Sequence, residues 1–486
     1  MTKTFLRSWK PAVVLLSIIL LAGGLGSQSS QAPVDGTASS GYTIKWIRSF
    51  GNFFGLTPDM IAAGYDENDE CVGAVETGDG GLVLAGTVQL FPPGGSHTQD
   101  LIVMEVRPSG EVDWELAYEC APGEDISYSS TGIARCSNGD YLITGNHHGG
   151  SQAIVPGSHP VLMRISPSGG LRWIKVFGVG SPGQANFEGS GIPVPTADGG
   201  FLMSGFSSAV PPWIMKLDSA GNVMWCKSYS LGLGDPHPTS DGGFVVTGNA
   251  DRNGLIVKCD SSGVIQWHRA FAQDPGWGCD DLETFIDAMT PTPDGGFLLF
   301  GDTTACNCCR ANQANYWMCK LDASGRIVWK KGAPGVHDVF PTRDGGFVLD
   351  DQYSLIKYNA SGSFLWSRTV TGTTMRYAFE ARDGGFAVAG HVYPLNADNA
   401  LMTVLRLDSA GKIGACDRIT SNLVSPGGTG IHSVSAASIS VRARPVWMKS
   451  LPRTNVNRSC EVRTLCTSLS LRHIPARIPT SGAQRP

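Results

Sequence analysis

The sequence predicts an all-β protein, a seven-bladed β-propeller of four-stranded antiparallel blades that is closed by its own N-terminal strand. Three observations predict this fold. A Gly-rich turn recurs seven times between residues 42 and 420, and a second turn with a following Trp recurs with it. The N-terminal stretch then supplies a strand that the last repeat lacks. Four strands in each of seven repeats are typical of a propeller.

The first motif is an Asp-Gly-Gly turn followed by an apolar run. Such a turn between two apolar runs indicates a hairpin, because its central positions need a positive φ. The stretch before the turn, such as Val72–Val75, is predicted as strand a, and the run after it, Leu82–Ala85, as strand b. The turns begin at Asp79, Asn138 (a variant), Asp198, Asp241, Asp294, Asp344 and Asp383.

The second motif is D-x-x-G with Trp four residues after the Gly. The Asp bonds the turn backbone and the Gly supplies the left-handed residue, so strands c and d flank this turn. We expect each Trp to pack between neighbouring sheets, although an aromatic ring also suits ligand stacking. The Gly and Trp pairs are Gly110/Trp114, Gly169/Trp173, Gly221/Trp225, Gly263/Trp267, Gly325/Trp329 and Gly362/Trp366.

The two ends of the repeat region predict ring closure. Residues 43–50 match a strand d but have no strands a to c before them, and the last repeat has Ala415 where its Trp is expected. We therefore expect the N-terminal strand to complete the last blade around Trp46. Closure of this kind removes exposed sheet edges.

Composition and the chain ends set the class of protein. Of the 486 residues 42% are hydrophobic and 16% charged, which fits a globular chain. The net charge is −5 although the last 46 residues are basic, so the body is acidic and we expect no nucleic-acid partner. Residues 421–486 lose the repeat and are predicted to be a poorly ordered, basic, Ser/Arg-rich tail with a short strand around Ser433–Val441.

The first residues indicate export. A basic start precedes an apolar run from Ala12 to Ala22, which is shorter than the ~20 residues of a membrane span. We predict a cleaved signal peptide over residues 1–32 and a secreted, periplasmic or cell-surface protein. An uncleaved signal segment is the alternative, and it would be the chain's one membrane contact.

Thirteen cysteines in an exported chain suggest disulfides. The densest cluster, Cys306–Cys309, also has enough thiolates to suggest zinc, but its spacing is not that of a zinc knuckle. The disulfide candidates are Cys120, Cys136, Cys279, Cys306, Cys308, Cys309 and Cys319.

A charged residue stands two positions before the first residue of each D-x-x-G motif, between apolar neighbours. These residues form either a basic ring for an anionic ligand or a repeated ion pair or hydrogen bond with a turn Asp between blades. We favour the ion pair, because a long cation inside an apolar strand needs a partner. They are Glu105, Arg164, Lys216, Lys258, Lys320, Lys357 and Arg406.

Strand a is expected to line the central channel, so its polar residues are the best candidates for a site. His and Asp that converge at a channel mouth suit metal binding or acid–base chemistry, whereas scattered ones would be solvated channel residues. The candidate binding residues are Asp235, His237, Asp287, His337, Asp338 and Arg376. No catalytic residue and no metal ligand is predicted, since no G-x-S-x-G or H-E-x-x-H motif occurs.

Repeats such as DGGFVVTG followed by IVKCDSSGVIQW resemble those of secreted bacterial β-propeller proteins over residues 42–420. The D-x-x-G-x-x-x-W element is similar to the tryptophan motif of PQQ-type quinoprotein propellers. The resemblance implies ligand or protein binding at a ring face and, in enzymatic members, an alcohol or sugar dehydrogenase with PQQ and calcium.

We expect a monomeric scaffold or recognition module outside the cytoplasm that binds a protein or glycan and needs no cofactor. The alternative is a propeller enzyme, a hydrolase, lyase or PQQ-type dehydrogenase, which uses the polar residues of the channel mouth. Calcium or PQQ would be its cofactor. An acidic stretch, Asp66–Glu70, suits calcium by its oxygens, but it lacks a calcium-loop spacing and is predicted to be a solvated turn.

Overall fold

The computed structural model describes the chain in segments. These are residues 47–51, 59–60, 63, 66–94, 98–118, 124–127, 132–149, 157–179, 188–207, 211–250, 252–273, 282–305, 315–370, 373–392, 400–412, 419–420, 431–434, 441–443, 446–450, 455–456 and 461–464. All of them belong to the compact unit Tyr42–Pro486. Within these segments, no helix is long and apolar enough to cross a membrane.

The described strands form seven antiparallel sheets, which we call blades 1 to 7 in chain order. Blade 1 contains β2 (Asp66–Glu76), β3 (Leu82–Phe91), β4 (Thr98–Val106) and β5 (Val112–Tyr118). Blade 2 contains β6 (Glu124–Ser127), β7 (Ile133–Arg135), β8 (Tyr141–Gly149), β9 (Gly157–Ile165) and β10 (Leu171–Val179). Blade 3 contains β11 (Glu188–Ser190), β12 (Val194–Pro195), β13 (Phe201–Ser207), β14 (Trp213–Leu217) and β15 (Val223–Tyr229).

The remaining blades follow the same order of strands a to d. Blade 4 contains β16 (Gly232–Leu233), β17 (His237–Pro238), β18 (Phe244–Ala250), β19 (Asn253–Cys259) and β20 (Ile265–Gln273). Blade 5 contains β21 (Leu282–Pro291), β22 (Phe297–Ala305), β23 (Asn315–Leu321) and β24 (Ile327–Gly332). Blade 6 contains β25 (Asp338–Pro341), β26 (Phe347–Asp350), β27 (Ser354–Tyr358) and β28 (Phe364–Val370). Blade 7 contains β29 (Thr373–Glu380), β30 (Phe386–Val392), β31 (Leu401–Leu407) and β1 (Ile47–Gly51).

The blades form a ring with strand a innermost. Strands β2, β7, β12 and β17 contact one another in turn, and so do β21, β25, β29 and β2. Strand β21 reaches blade 4 through β18 and β19, which completes the circle. The seven-bladed propeller predicted from the sequence is therefore confirmed.

The N-terminal strand closes the ring, as predicted. Strand β1 pairs antiparallel with β31, with Phe50 opposite Met402. Phe50 is fully buried in a cluster that includes Met402 and Val404. Ser49 and Thr403 share a buried hydroxyl–hydroxyl bond of 2.7 Å. Trp46, around which closure was predicted, lies outside the described residues.

The strand-d tryptophans pack against the next blade, which confirms their predicted packing role. In blade 5, Gly325 has a φ of +78°, and a Cβ there would lie 2.9 Å from the ring of Trp267 in blade 4. In blade 2 a basic residue two positions after the Trp also contacts the ring: Lys175 Nζ lies 5.1 Å from the Trp173 centroid and donates to Ala220 O of blade 3 at 2.7 Å. Blades 2 to 6 are thus each fastened to the next blade by a Trp ring, a cation and a Gly turn, whereas blade 1 has Leu116 in place of the cation.

The predicted ion pairs exist, but they lie within a blade and not between blades as expected. Lys216 donates to Asp198 at 2.7 Å, and Lys320 donates to Asp294 at 2.8 Å. Arg164, Lys258, Lys357 and Arg406 pair in the same way with Asp140, Asp241, Asp344 and Asp383. In blade 1, Glu105 instead accepts from Trp114 Nε1 at 2.5 Å. These bases hold the a–b turn in place, so the structure gives them a partner inside the protein.

The described cysteines correct part of the disulfide prediction. Cys136 and Cys319 are free thiols in blade cores, and burial raises their pKa values to about 11 and about 12. They pack inside different blade clusters rather than facing a second sulfur. Cys120, Cys279, Cys306, Cys308 and Cys309 lie outside the described residues.

The described parts of the tail are strands, an arrangement that the sequence does not predict. Six short strands each pair antiparallel with the outermost strand of a blade. They are β32 (Ile419–Thr420), β33 (Ile431–Val434), β34 (Val441–Ala443), β35 (Val446–Ser450), β36 (Asn455–Val456) and β37 (Glu461–Thr464). The range Ser433–Val441, for which one short strand was predicted, begins in β33 and ends in β34.

Candidate functional site

The inner strands of five blades are irregular at the same place. The register slips between Cys71 and Gly73 in blade 1, between Ile286 and Ala288 in blade 5, and between Met375 and Tyr377 in blade 7. In blades 3 and 4, strand a is split in two at the corresponding point. Bulges of this kind re-aim the side chains that follow them.

One residue of each inner strand, at or next to this place, lies six positions before the first residue of the a–b turn motif. We call these seven residues the collar: Gly73, Gly132, Ile192, Asp235, Ala288, Asp338 and Tyr377. Three members are Gly or Ala; a Cβ at Gly73 would lie 2.9 Å from Ile133, and one at Gly132 would lie 2.5 Å from Ile192, so the inner strands pack closely there. Its polar members are Asp235, Asp338 and Tyr377, from blades 4, 6 and 7.

Asp235, in blade 4, accepts two hydrogen bonds from blade 3. Its Oδ1 accepts from Ser204 Oγ at 2.9 Å and from Ile192 N at 3.2 Å. A Cβ at Gly191 would collide with this carboxylate, so only Gly fits beneath it. Burial raises the pKa of Asp235, although both hydrogen bonds lower it.

Asp338 starts strand a of blade 6, opposite Asp350 in the register. Its Oδ1 accepts from Val339 N at 2.7 Å. Burial, with a smaller contribution from the negative charge of Asp235, raises the pKa of Asp338 to about 6. Asp235 is thus close enough for its charge to disfavour ionisation of Asp338.

Asp350, at the end of strand b in blade 6, is a third acidic residue next to Asp338. It was not identified as a site residue from the sequence. It is fully buried. Its Oδ1 accepts from Gln352 N at 2.7 Å, while its Oδ2 has no hydrogen-bond partner among the described residues. Burial, with the charge of Asp338, raises the pKa of Asp350 to about 7. Gln352 itself has a φ of +76°, which is rare for a residue other than Gly.

Tyr377 is the second site residue that sequence reasoning missed. Burial and the charges of Asp235 and Asp338 raise its pKa, so its ring lies near both carboxyls. The sequence alone predicts that an aromatic residue in an inner strand belongs to the hydrophobic core. Comparison of the repeats would have identified Tyr377, because Tyr377, Asp235 and Asp338 stand at the same position of their repeats.

Three predicted residues form a layer beside the collar. Asp287, His337 and Arg376 each immediately precede a collar residue, in the adjacent blades 5, 6 and 7, and all three are exposed. Desolvation and the charge of Asp302 raise the pKa of Asp287 to about 6. Desolvation and the positive charge of Arg376 lower the pKa of His337.

The remaining predicted residue, His237, lies two positions after Asp235. It pairs with Val245 in the register, and burial lowers its pKa to about 4. The imidazole is therefore neutral at neutral pH. The structure thus places Asp235 and Asp338 in one collar, places Asp287, His337 and Arg376 beside it, and leaves His237 half-buried further along strand a.

The b–c connections show which side of the mouth has the shortest loops. Two residues separate β18 from β19 in blade 4, and three separate β26 from β27 in blade 6. The other blades use five to nine residues at this place. Blades 4 and 6, which carry Asp235 and Asp338, therefore have the shortest b–c connections.

The protonation of this group suits hydroxyl ligands. The described residues contain no group of three or more His, Cys, Asp or Glu side chains placed to hold a metal. A carboxyl with a pKa near 6 or 7 is partly protonated at neutral pH, so it both donates and accepts hydrogen bonds. Such a carboxyl also suits proton transfer.

No protein-family model matches the chain, and no curated protein matches it. Among solved structures, the chain is similar to the polysaccharide lyase Uly1, with 9% identity, a TM-score of 0.46, and coverage of 70% of this chain and 90% of that one. It is also similar to an α-L-arabinanase of Penicillium chrysogenum (9% identity, TM-score 0.39, 76% and 98% covered). A third is the GH93 α-L-arabinofuranosidase of Fusarium graminearum (10%, 0.38, 68% and 91%). Similarity of this size says nothing about what this chain binds, and the quinoprotein resemblance stays one of repeat motif.

Proposed function

We propose that this protein is an extracytoplasmic recognition module that binds a glycan at the mouth of its channel. The observation that carries the proposal is the collar. Three polar side chains, those of Asp235, Asp338 and Tyr377, stand at the same position of their repeats in three blades. Recognition sites commonly rely on a few convergent polar groups of this kind.

The protonation of the collar favours a neutral, hydroxyl-rich ligand. Raised pKa values leave Asp338 and Asp350 partly uncharged near neutral pH. Tyr377 adds a hydroxyl, and Asp235 adds an acceptor that Ser204 and Ile192 hold in place. A sugar hydroxyl can donate to a carboxylate oxygen and accept from a protonated carboxyl at the same time, so it suits a group with mixed protonation. Arg376 and His337 would contact the part of the glycan outside the collar.

Binding to soluble oligosaccharides, measured by calorimetry across a panel of neutral and acidic glycans, tests the proposal. We expect Asp235→Asn and Tyr377→Phe to weaken binding by about tenfold or more, since each removes a polar contact from a buried site. Asp322→Asn is the matched control, because Asn359 already fills that turn position in blade 6. Absence of binding to every glycan, or binding that neither collar substitution changes, would refute the proposal.

A second function, glycan cleavage, is favoured by one observation. Asp338 combines a pKa of about 6 with two further carboxyls nearby, as a general acid requires. If the protein is an enzyme, incubation with a bound glycan should release new ends, and Asp338→Asn should abolish the release while binding persists. If the glycan stays intact, recognition is the function.

Export rests on the sequence of residues 1–32. We expect the mature chain to begin near residue 33 when the protein is recovered from outside the cytoplasm, which N-terminal sequencing would check. A mature chain that begins at Met1 would contradict the cleaved signal.

A further inference from the structure

The six tail strands follow one another around the rim. β32 lies on blade 6, β33 on blade 4, β34 on blade 3 and β35 on blade 2. β36 then lies on blade 1 and β37 on blade 7. The tail therefore travels around the ring in the direction opposite to the main chain. It ends on the blade that the N-terminus closes.

The pairing is alike from blade to blade. In blade 4, β33 pairs with Ala270–Gln273, the end of β20. In blade 3, β34 pairs with Lys227–Tyr229, the end of β15. In blade 2, β35 pairs with Lys175–Val179, the end of β10. Every tail strand thus meets strand d near its last residues, at the side of the ring where the channel mouth lies.

The last contact involves the closing strand itself. β37 pairs with β1, with Val462 opposite Phe50 and Arg463 opposite Ser49. β1 is therefore held on both edges, by β31 on one side and by β37 on the other. β1 can separate from β31 and stay paired with β37, so β37 covers the outer edge of β1 without crossing the β1–β31 seam.

We propose that the six tail strands, β32 to β37, form a strap that joins neighbouring blades and covers the outer strand edges of the blades on which these strands lie. The edges of strand d are an interaction surface that accepts an extended strand, and the partner is the C-terminal segment of the same chain. An uncovered outer edge invites pairing with other chains, so the strap also protects the fold from edge-to-edge association. Among the described residues, blade 5 has no such covering strand.

The strap should act mainly on the rate of unfolding. A segment that crosses from blade to blade at the rim must detach before neighbouring blades separate. Contacts that form late in folding slow unfolding more than they speed folding. The strap therefore supplies kinetic stability, which the Trp and Gly contacts between blades supplement.

A double substitution in the full-length chain, Val462→Pro with Arg463→Pro, tests this. N–H groups of adjacent strand residues face opposite edges, so the pair removes a donor toward β1 whichever residue carries it. We expect unfolding in urea to be about tenfold faster and the amides of β1 to lose exchange protection. The control is Leu469→Pro with Ser470→Pro, beyond β37, which should leave both unchanged. An unfolding rate and β1 protection equal to those of the control would overturn the proposal.

Hydrogen exchange on the unmodified protein provides a second test that needs no variant. The strap predicts that outward amides at the ends of β10 and β20 are protected, because β35 and β33 pair with them. If these amides exchange as fast as unprotected amides, the strap is not formed in solution and the proposal fails. Slow exchange at both strands supports it. Neither test depends on glycan binding.

Discussion

Asp350→Asn is the substitution whose effect on stability the structure predicts most directly. Asp350 is fully buried, with one oxygen bonded to Gln352 N and the other without a partner among the described residues. Asn has nearly the same shape and keeps the bond to Gln352 N. It never ionises, so it mimics the protonated carboxyl at every pH.

The sign and the size of the change in the free energy of unfolding follow from the raised pKa of Asp350. The folded protein holds the Asp350 proton up to about pH 7, whereas an exposed Asp releases it near pH 4. The protonated carboxyl therefore contributes fully to stability below about pH 4, and this contribution is lost as the pH rises through 7. A shift of about three pKa units corresponds to about 4 kcal/mol, and relaxation around the charge reduces it, so we expect about 2–4 kcal/mol at pH 8.

Urea unfolding of the parent and Asp350→Asn at pH 4, 6 and 8 measures this. The two free energies of unfolding should agree within about 1 kcal/mol at pH 4, and the variant should be increasingly more stable as the pH rises. Asp351→Asn, in the same turn, controls for changes to the turn itself. If the difference between parent and variant does not grow with pH, or if the variant is less stable at pH 8, the buried-carboxyl reasoning is wrong.

Three further predictions concern the fold. Phe50→Ala should lower the free energy of unfolding by about 3–5 kcal/mol in urea, because Phe50 is fully buried in the ring-closing strand; an effect below about 1 kcal/mol would contradict closure by β1. Gly325→Ala should cost more than Gly295→Ala in the same assay, since both glycines have a φ near +80° but only a Cβ at Gly325 would crowd Trp267; equal losses would contradict the Trp contact. Cys136 and Cys319 should resist a thiol reagent in the native protein at pH 8 and react after unfolding, because burial raises their pKa values to about 11 and about 12; fast native labelling would contradict their burial.

Local chemistry explains why the fold was predictable. An Asp-Gly-Gly turn fixes its hairpin through bonds that lie within a few residues, as when Gly200 N donates to Asp198 Oδ1 at 3.0 Å. The basic residue near the end of strand c was also predictable, because a buried cation such as Lys320 must have a partner close by. Both signals are repeated, so each copy supports the others.

Non-local pairing explains what was missed. The tail strands are two to five residues long, and each forms along an edge that a blade already provides. Their own sequence need not favour a strand. Likewise, Cys136 and Cys319 were assigned to disulfides from the compartment, but their blades place the sulfurs in separate cores. Asp350 escaped notice because it lies on strand b and joins the collar only through its register with Asp338.

The collar shows where a repeat protein departs from its own symmetry. Positions that pack or pair are nearly uniform around the ring, such as the Trp of strand d and the base of strand c. The collar position varies instead through Gly, Ile, Ala, Asp and Tyr. Symmetric packing needs one kind of residue at each place, whereas an asymmetric ligand needs different groups on different sides. The acidic side of the collar, in blades 4 and 6, also has the shortest b–c connections, so chemistry and access coincide there.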